Sequence, residues 1–190
     1  MNFASSIQTD FSTHKLVWKS CELCSLCETR NRVVLGRGSR LPAQVLFIGE
    51  SPGASEDVLG RPFVGPAGHL LDQIIETVQR AKPFSYAMTN LVACIPLDPA
   101  TSDKVREPEP DCIDACGDRL REFVTLVQPD VVVCVGKLAR AYSPEILNWD
   151  ESWFNEIIHP AAILRMDESQ KGLAIQRTVV ALLDIVEELP

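Results

Sequence analysis

Residues 130–136 read DVVVCVG, an uninterrupted apolar run in which β-branched residues predominate. Such a run is typical of a strand that is buried on both faces of a parallel sheet, because helices cover both sides of that kind of sheet. Three further short apolar runs predict strands over Gln44–Gly49, Tyr86–Cys94 and Phe154–His159. The sequence therefore indicates a parallel sheet at the centre of the fold.

Between and after these strands, apolar residues recur at spacings of three and four, as they do on one face of an α-helix. The pattern predicts helices over Gly68–Arg80, Asp111–Val127 and Gly172–Leu189. Strands that alternate with helices indicate an α/β fold with a mainly parallel sheet. Because the chain has 190 residues, we expect one domain over residues 1–190.

Polar and glycine-rich segments follow the predicted strands. The first strand runs into GESPG at residues 49–53, the second contains Asn90 and ends at Cys94, and the last ends at His159. In open parallel sheets, ligands bind outside the carboxyl ends of the strands. These segments are therefore expected to converge on one ligand site. The longest predicted loop, Pro96–Pro110, is rich in proline and charge, and loops of this length are often functional.

The net charge is −8 and the isoelectric point is about 4.9. Proteins that bind nucleic acid carry clustered lysine and arginine for contacts with phosphates. This balance therefore argues against tight non-specific DNA binding and requires any DNA-binding face to be a local basic patch. The start of the chain contains no apolar signal core, and no apolar run is long enough to span a bilayer. The expected compartment is the cytoplasm.

Seven cysteines are many for a cytosolic chain of this size, and an odd number excludes a fully paired disulfide framework. Six of them lie in a C-x2-C-x2-C run, at the end of a predicted strand and at the start of a predicted helix. These six are Cys21, Cys24, Cys27, Cys94, Cys112 and Cys116. Tetrahedral sulfur suits zinc or an iron–sulfur cluster, and spacing alone leaves both open. Exposed free thiols are a third interpretation. Cys134, inside a strand, is expected to be a buried apolar residue.

Six groups of residues, in chain order, resemble motifs of the family four uracil-DNA glycosylases. They are C-x2-C at Cys21–Cys24, followed by Arg30, Arg32 and Gly36-Arg37-Gly38; GESPGASEDVLGRPFVGPAGHLL at Gly49–Leu71; T-N-x-V-x-C at Thr89–Cys94; a helical cysteine at Cys116; P-x-x-V-V-x-x-G at Pro129–Gly136; and H-P-x-x-x-L-R at His159–Arg165. A single short motif would be weak evidence, whereas six in the right order are strong. The resemblance covers most of the chain.

The resemblance implies a three-layer sandwich around a short, mainly parallel sheet. It also implies an enzyme that flips uracil out of DNA and hydrolyses its N-glycosidic bond, which initiates base-excision repair. A [4Fe–4S] cluster is implied rather than zinc, with an N-terminal cluster-binding arm over about residues 15–35. The implied ligands are Cys21, Cys24, Cys94 and Cys116. Cys116 is preferred to Cys112 because its distance to the strand at Pro129 fits the family better.

The family's motifs suggest roles for residues near the reacting bond. His159 is the candidate donor to uracil O2, where negative charge develops; the alternative is a helix-start histidine that only satisfies backbone groups. Glu50 is the candidate that positions the attacking water, and the alternative is a solvated carboxylate. Glu56 and Asp57 are nearby alternatives for that role, or caps of the turn. Ser51 stands where better-known uracil glycosylases carry an aspartate; it can bind a water but is a weak base.

Four residues are expected to bind the substrate. Phe63 is the candidate stacking platform for the flipped base, against the alternative of core packing, and its glycine- and proline-rich surroundings favour an exposed turn. Asn90 offers a donor and an acceptor that match uracil N3–H and O4, against the alternative of capping a loop. Arg61 and Arg165 are candidate phosphate contacts.

Two departures from the family bear on function. After the third cysteine the family commonly has R-P-P and then N-R, whereas this chain has IPLDP at residues 95–99. The segment between Gly136 and His159 is short and acidic. With the net charge, these features leave three functions open. The first is a uracil-DNA glycosylase that acts as a monomer on uracil-containing DNA. The second is a catalytically weak or inactive relative that serves as a DNA- or protein-binding module, and the third is a glycosylase for another nucleic-acid base on the same fold.

Overall fold

The computed structural model describes residues 10–38, 41–98, 101 and 104–190. Five strands in these ranges form one sheet. They are β1 (Arg37–Gly38), β2 (Val45–Gly49), β3 (Tyr86–Asn90), β4 (Val131–Val135) and β5 (Phe154–Ile157). The strand order is β1-β3-β2-β4-β5, and every neighbouring pair is parallel except β1 and β3. The predicted α/β class with a mainly parallel sheet is confirmed.

Helices flank this sheet in the described part of the chain. They are α1 (Phe11–Trp18), α2 (Ala54–Leu59), α3 (Pro66–Ala81), α4 (Pro110–Ala115), α5 (Gly117–Val127), α6 (Lys137–Leu147), α7 (Pro160–Leu164) and α8 (Glu168–Glu187). Short 3-10 helices span Ser25–Glu28 and Glu151–Trp153. Within the described ranges, no helix has the length and apolar character needed to cross a bilayer.

The sheet separates two hydrophobic cores. Ile48 and Val132 point to one face and pack with residues of α4, α5 and α6. Phe47 and Val133 point to the other face and pack with residues of α3, α7 and α8. Each fully buried aliphatic side chain contributes roughly 1.5–3 kcal/mol, so β2 and β4 gain stability from both faces. The expected three-layer sandwich is confirmed.

Several predicted elements differ from the structure, and among them α8 begins at Glu168 rather than Gly172 and β5 ends at Ile157 rather than His159. The single helix expected over Asp111–Val127 is two helices, α4 and α5, which meet at Cys116. The Cys116 N–H donates to the carbonyls of both Cys112 and Ile113, at 3.2 and 3.1 Å, which tightens the chain at this point. The strand expected to reach Cys94 ends as a regular strand at Asn90.

Sequence patterns do not predict α1, α2 or α6, and the reason differs for each. The buried residue of α1 is His14, which is not aliphatic, so α1 lacks the apolar pattern of a helix. The buried positions of α2 are Glu56 and Asp57, so its inward face is charged. In α6, Pro144 lies inside the helix and hides the helical pattern.

The N-terminal arm connects α5 to the end of β3. His14 Nδ1 lies 3.1 Å from Glu122 Oε1, and Trp18 Nε1 donates to Glu122 Oε2 at 2.8 Å, which docks α1 on α5. After the 3-10 turn, the Val34 N–H donates to the Ala93 carbonyl at 2.7 Å. The segment expected to form the arm, about residues 15–35, is therefore held by α5 near its start and by the chain after β3 near its end.

The first turn of α3 is packed directly against the turn at Phe63. A methyl group added to Gly68 would collide with the Phe63 backbone, whereas Gly172 in α8 has open space. We expect Gly68→Ala to lower the free energy of unfolding by about 2 kcal/mol, a typical cost of overpacking. Gly172→Ala, the matched control, should raise it by about 1 kcal/mol because alanine has the higher helix propensity. Urea titration measures both, and a stabilised Gly68→Ala variant would contradict the close approach.

Candidate active site and cysteine-lined cavity

A cavity of about 510 Å³ opens at the carboxyl ends of β2, β3 and β5. We call it the strand-end cavity. Its walls include Glu50 and Ser51 from the segment after β2, Asn90 from the end of β3, and His159 from the segment after β5. The structure thus brings together the three segments that the sequence analysis expected to meet. A further wall is the ring of Phe63.

His159 uses one ring nitrogen to cap α7 and leaves the other free. Its Nδ1 accepts a hydrogen bond from the Ala161 N–H at 3.1 Å, so the proton of the neutral ring is on Nε2. Burial lowers the His159 pKa, and the positive charge of Arg165 lowers it further. Near pH 7 the ring is therefore neutral, and Nε2–H has no hydrogen-bond partner among the described residues. The helix-start interpretation is right for Nδ1 only.

Asn90 is 3% exposed, yet no described residue forms a hydrogen bond with its side-chain amide, which lines the strand-end cavity. Gly49, its register partner in β2, makes this placement possible. A Cβ at Gly49 would collide with Asn90 Oδ1 and would lie 2.6 Å from Phe63 Cζ. The amide and the aromatic ring therefore approach the same point of the wall. Within the described ranges, the Asn90 side chain caps no loop.

The expectation of an exposed turn at Phe63 is wrong, because the residue is only 7% exposed. Its φ is +55°, a left-handed conformation that is uncommon for a bulky residue. Arg37 stabilises the turn: Nε donates to the Pro62 carbonyl at 3.0 Å, and Nη2 pairs with Asp72 at 2.7 Å. The ring is a buried wall of the cavity beside Gly49, where a planar ligand could stack on it.

Glu56 and Asp57 are not available to share the expected role of Glu50. Glu56 accepts hydrogen bonds from three backbone N–H groups of the loops beside the cavity, at 2.7–3.1 Å. Asp57 accepts from the N–H groups of Asn31 and Arg32, at 3.0 and 3.2 Å. Charge-assisted hydrogen bonds of this kind fix loops firmly. The interpretation of these carboxylates as caps is the one that the geometry supports.

Glu50 is half-buried in the cavity wall, next to Ser51. Burial raises the Glu50 pKa, the carboxylate of Glu107 raises it further, and Arg165 acts in the opposite direction. Glu50 is therefore a stronger base than a solvated glutamate, which does not fit the alternative of a freely solvated carboxylate.

The long loop forms a narrow hairpin beside the strand-end cavity. Leu97 and Val105 form an antiparallel bridge, and the Arg106 N–H donates to the Pro96 carbonyl at 2.9 Å. Val105, Arg106 and Glu107 all line the cavity. Residues 99, 100, 102 and 103 of this loop lie outside the described residues. The long predicted loop therefore supplies one wall of the site.

The two arginines expected to contact phosphate lie in different places. Arg165 is exposed and lines the strand-end cavity. Arg61 lines a separate groove together with Lys15 and Lys19. The structure brings Arg165 to the candidate site and does not bring Arg61 there.

A second, smaller cavity lies between the N-terminal arm, the end of β3 and the junction of α4 and α5. We call it the cysteine cavity. The four thiols that line it belong to Cys21, Cys24, Cys94 and Cys116. The walls exclude Cys27, Cys112 and Cys134. Burial raises the pKa of Cys24 and of Cys94 to about 12, so both are protonated at neutral pH unless a metal centre binds the thiolates.

Two arginines lie beside the cysteine cavity, of which Arg119 is buried and Arg30 is half-buried. Arg119 lines it and is 1% exposed, and its Nε has no hydrogen-bond partner in the described ranges. Arg30 donates to the Cys21 carbonyl at 2.6 Å, its charge acts on the Cys94 thiol, and its Nη1 is buried without a partner among the same residues. Buried cations with unused N–H groups need a nearby anion. An anionic iron–sulfur cluster fits this donor set.

Within the described ranges, no group of three or more His, Cys, Asp or Glu side chains is arranged for a single metal ion.

Sequence patterns did not identify Arg119 as a residue that lines the cysteine cavity. It lies three residues after Cys116 and four before Phe123, on the buried face of α5. A cation on an apolar helical face, at a spacing of three from a candidate ligand, is the signal that could have identified it.

Comparisons with known proteins point to one family. The model of the Uracil DNA glycosylase superfamily matches residues 35–183. The chain is 31% identical to the type-4 uracil-DNA glycosylase of Archaeoglobus fulgidus, over 76% of this chain and 78% of that protein. It is 30% identical to the Pyrobaculum aerophilum protein of the same name, over 85% and 90%. The crystal structure of Pedobacter heparinus SMUG2 matches with a TM-score of 0.57 over 77% of each chain at 13% identity, which shows a shared fold.

Proposed function

The chain belongs to the uracil-DNA glycosylase superfamily, among its type-4 members, and we propose that it removes uracil from DNA by hydrolysing the N-glycosidic bond. One observation carries this function: the strand-end cavity presents a histidine N–H, an unpaired amide and an aromatic ring to the same space. A base that is flipped out of the duplex needs a pocket of this kind. Nothing in the described residues favours the alternative of an inactive binding module.

The Asn90 amide and the Phe63 ring would recognise the base. Asn90 Oδ1 accepts uracil N3–H and Nδ2 donates to O4. Cytosine has an acceptor at N3 and a donor at its 4-amino group, so it would leave the amide mismatched. Stacking on Phe63 contributes about 1–3 kcal/mol to base capture. Gly49 is needed because any side chain there would fill the space beside both groups.

His159 would stabilise the leaving group. As the glycosidic bond breaks, negative charge accumulates on uracil O2, and Nε2–H donates to that oxygen. The hydrogen bond from the Ala161 N–H to Nδ1 sets the tautomer before the substrate binds. A preorganised donor of this type contributes about 3 kcal/mol. Its effect falls mainly on the transition state, where the charge is largest.

Glu50 would position and deprotonate the attacking water. The water oxygen bonds to C1′ of the sugar, its proton passes to the Glu50 carboxylate, and uracil leaves as the anion that His159 stabilises. Ser51, in the same wall, can bind this water as a second ligand. The raised pKa of Glu50 makes proton acceptance more favourable than it is for a solvated glutamate.

We propose that the cysteine cavity binds a [4Fe–4S] cluster. The proposed ligands are Cys21, Cys24, Cys94 and Cys116, whose thiols line that cavity. The unused N–H groups of Arg119 and Arg30 support an anionic occupant. When bound, the cluster links the N-terminal arm, the end of β3 and the α4–α5 junction covalently. Hydrolysis transfers no electrons, so this link is a structural contribution.

We further propose that the protein acts as a monomer on uracil-containing DNA. Arg165 at the cavity and the exposed Lys104 in the hairpin are the candidate phosphate contacts. Arg106 is less available because its Nη1 pairs with Glu109 at 2.6 Å. With few cations at the site, affinity depends on a small number of phosphate contacts and is sensitive to salt.

Loss of the uracil contacts should reduce excision. We expect His159→Ala to lower the single-turnover rate on a uracil-containing oligonucleotide roughly 100-fold, as loss of about 3 kcal/mol implies. Asn90→Ala should lower the rate and also weaken discrimination between uracil and cytosine. His69→Ala is the matched control, because His69 is an exposed histidine of α3, and it should excise at the wild-type rate. Wild-type protein that releases no uracil would refute the proposed function.

The acid limb of the pH–rate profile should depend on Glu107. Burial is the main cause of the raised Glu50 pKa, and Glu107 is the second. The rate should fall as the pH falls through that raised pKa, because a protonated carboxyl cannot accept the water's proton. Glu107→Gln removes a repelling charge, so the Glu50 pKa should decrease and the limb should move to lower pH. Glu187→Gln is the control, because Glu187 is an exposed glutamate of α8 that does not line the cavity, and it should not move the limb. If the acid limb of the Glu107→Gln profile lies at the same pH as in the wild type, repulsion by Glu107 does not raise the Glu50 pKa.

The cluster proposal predicts which cysteines are needed for iron. Protein purified without oxygen should contain about four irons per chain and be brown. Cys24→Ser, Cys94→Ser and Cys116→Ser should lose iron. Cys112→Ser and Cys134→Ser should retain it, because neither thiol lines the cysteine cavity. Stoichiometric zinc without iron would exclude the cluster. Loss of iron from Cys112→Ser, together with its retention in Cys116→Ser, would show that Cys112 rather than Cys116 is the fourth ligand.

A further inference from the structure

We propose that Arg119 is a positioning residue that couples occupancy of the cysteine cavity to the position of Asn90. The inference rests on the proposed function, because it gives the metal centre an effect on base recognition. Arg119 is the buried residue that touches both regions: it lines the cysteine cavity and donates to the chain segment that presents Asn90 to the strand-end cavity.

The guanidinium of Arg119 binds three consecutive residues at the end of β3. Nη1 donates to Thr89 Oγ1 at 2.9 Å, and Nη2 donates to the carbonyls of Asn90 and Leu91, both at 2.6 Å. A planar guanidinium can make these bonds together because its N–H groups have a fixed geometry. The backbone on either side of Asn90 is therefore oriented by one side chain.

The opposite side of this segment is bound to β2. The Leu91 N–H donates to the Gly49 carbonyl at 2.9 Å, and the next N–H, of Val92, donates to the Glu50 carbonyl at 3.2 Å. Asn90 thus lies between Arg119 on one side and the Gly49–Glu50 backbone on the other. A shift of Arg119 would change the tilt of the Asn90 amide relative to Gly49 and to the ring of Phe63.

The Arg119 charge lacks a carboxylate partner in the part of the chain that the structure describes. Its Nε is buried without a hydrogen-bond partner there, and the residue lines the same cavity as the thiols of Cys94 and Cys116. A buried cation is stable only beside an anion that compensates it. An anionic cluster on these thiolates would supply that compensation. Protein without the cluster would leave the guanidinium uncompensated, and its three hydrogen bonds would then hold the segment less firmly.

A purely structural role for Arg119 predicts a different result. If Arg119 only contributes to general stability, its replacement loosens the whole sheet, and backbone exchange rises in every strand. If Arg119 positions Asn90, the change is confined to residues 89–92. Hydrogen exchange measured by mass spectrometry separates these cases, and it does not depend on whether the protein excises uracil.

The test uses Arg119→Lys in the full chain with its metal centre. Lysine retains the positive charge but not the fork of donors. The matched control is Arg121→Lys, two residues further along α5, where the exposed guanidinium pairs with Asp118. We expect Arg119→Lys to keep the wild-type iron content and to exchange the Leu91 and Val92 amides at least tenfold faster. Exchange in β4 should match the wild type. Excision should show kcat lowered at least tenfold with KM little changed, and Arg121→Lys should match the wild type throughout.

A second measurement tests the other end of the coupling. Wild-type protein from which iron has been removed with a chelator should also exchange the Leu91 and Val92 amides faster, since Arg119 has lost its compensating anion. Should Arg119→Lys fail to fold, Thr89→Val removes one of the three acceptors without changing the side-chain shape. It should keep its iron and show the same local increase in exchange.

The outcomes separate this inference from the proposed function. The coupling is overturned if an iron-loaded Arg119→Lys variant shows the exchange and the excision rate of the wild type. Where that variant does not fold, the same result in Thr89→Val overturns it. The coupling also fails if amide exchange increases in all strands, or if removal of iron leaves the exchange of residues 91 and 92 unchanged. If the wild type releases no uracil but the exchange pattern is as expected, the coupling stands and the proposed function fails.

Discussion

The parallel pairing of β2 with β3 is the constraint on which the rest of the structure depends. Gly49 is in register with Asn90, and the pairing continues beyond both strand ends through the N–H groups of Leu91 and Val92. Asn90 lines the strand-end cavity, and Cys94, only four residues later, lines the cysteine cavity. One short segment therefore contributes to both cavities, and a disturbance at either end reaches the other through few covalent bonds.

Buried charges organise the loops around this segment. Glu56 binds three backbone N–H groups, Asp57 binds the arm, and Arg37 stabilises the left-handed turn at Phe63. Each of these groups is fixed by the protein before any ligand arrives. Preorganised groups need little rearrangement during a reaction, which is why fixed dipoles stabilise developing charge better than water does. The same property explains why Glu56, which lines the cavity, is unsuitable as a base, since its oxygens already accept backbone hydrogen bonds.

Much of the fold and part of the site could be predicted from the sequence. The apolar run of β4 and the helical period of α3 are local signals, and the rule that ligands bind at the carboxyl ends of parallel strands located His159, Asn90 and Glu50 together. The helix α2 was missed because its buried positions are acidic. The burial of Phe63 and the occupation of Glu56 could not be predicted, because glycine and proline indicate a turn but not what covers it, and the partners of Glu56 are backbone groups of other loops.

The acidic character of the chain can be reconciled with DNA as substrate through the distribution of its charges. Several cations are paired with carboxylates, such as Arg121 with Asp118 and Arg140 with Glu151, and Arg61 lies away from the strand-end cavity. Few cations remain free for phosphate contacts, so we expect a low non-specific affinity for DNA. Flipping a base costs a few kcal/mol, less when the base is mismatched. In the site that we propose, stacking on Phe63 and hydrogen bonds within the pocket would offset that cost in place of strong attraction to the DNA backbone. Binding would then depend on the base itself, and the pocket would be the main source of selectivity.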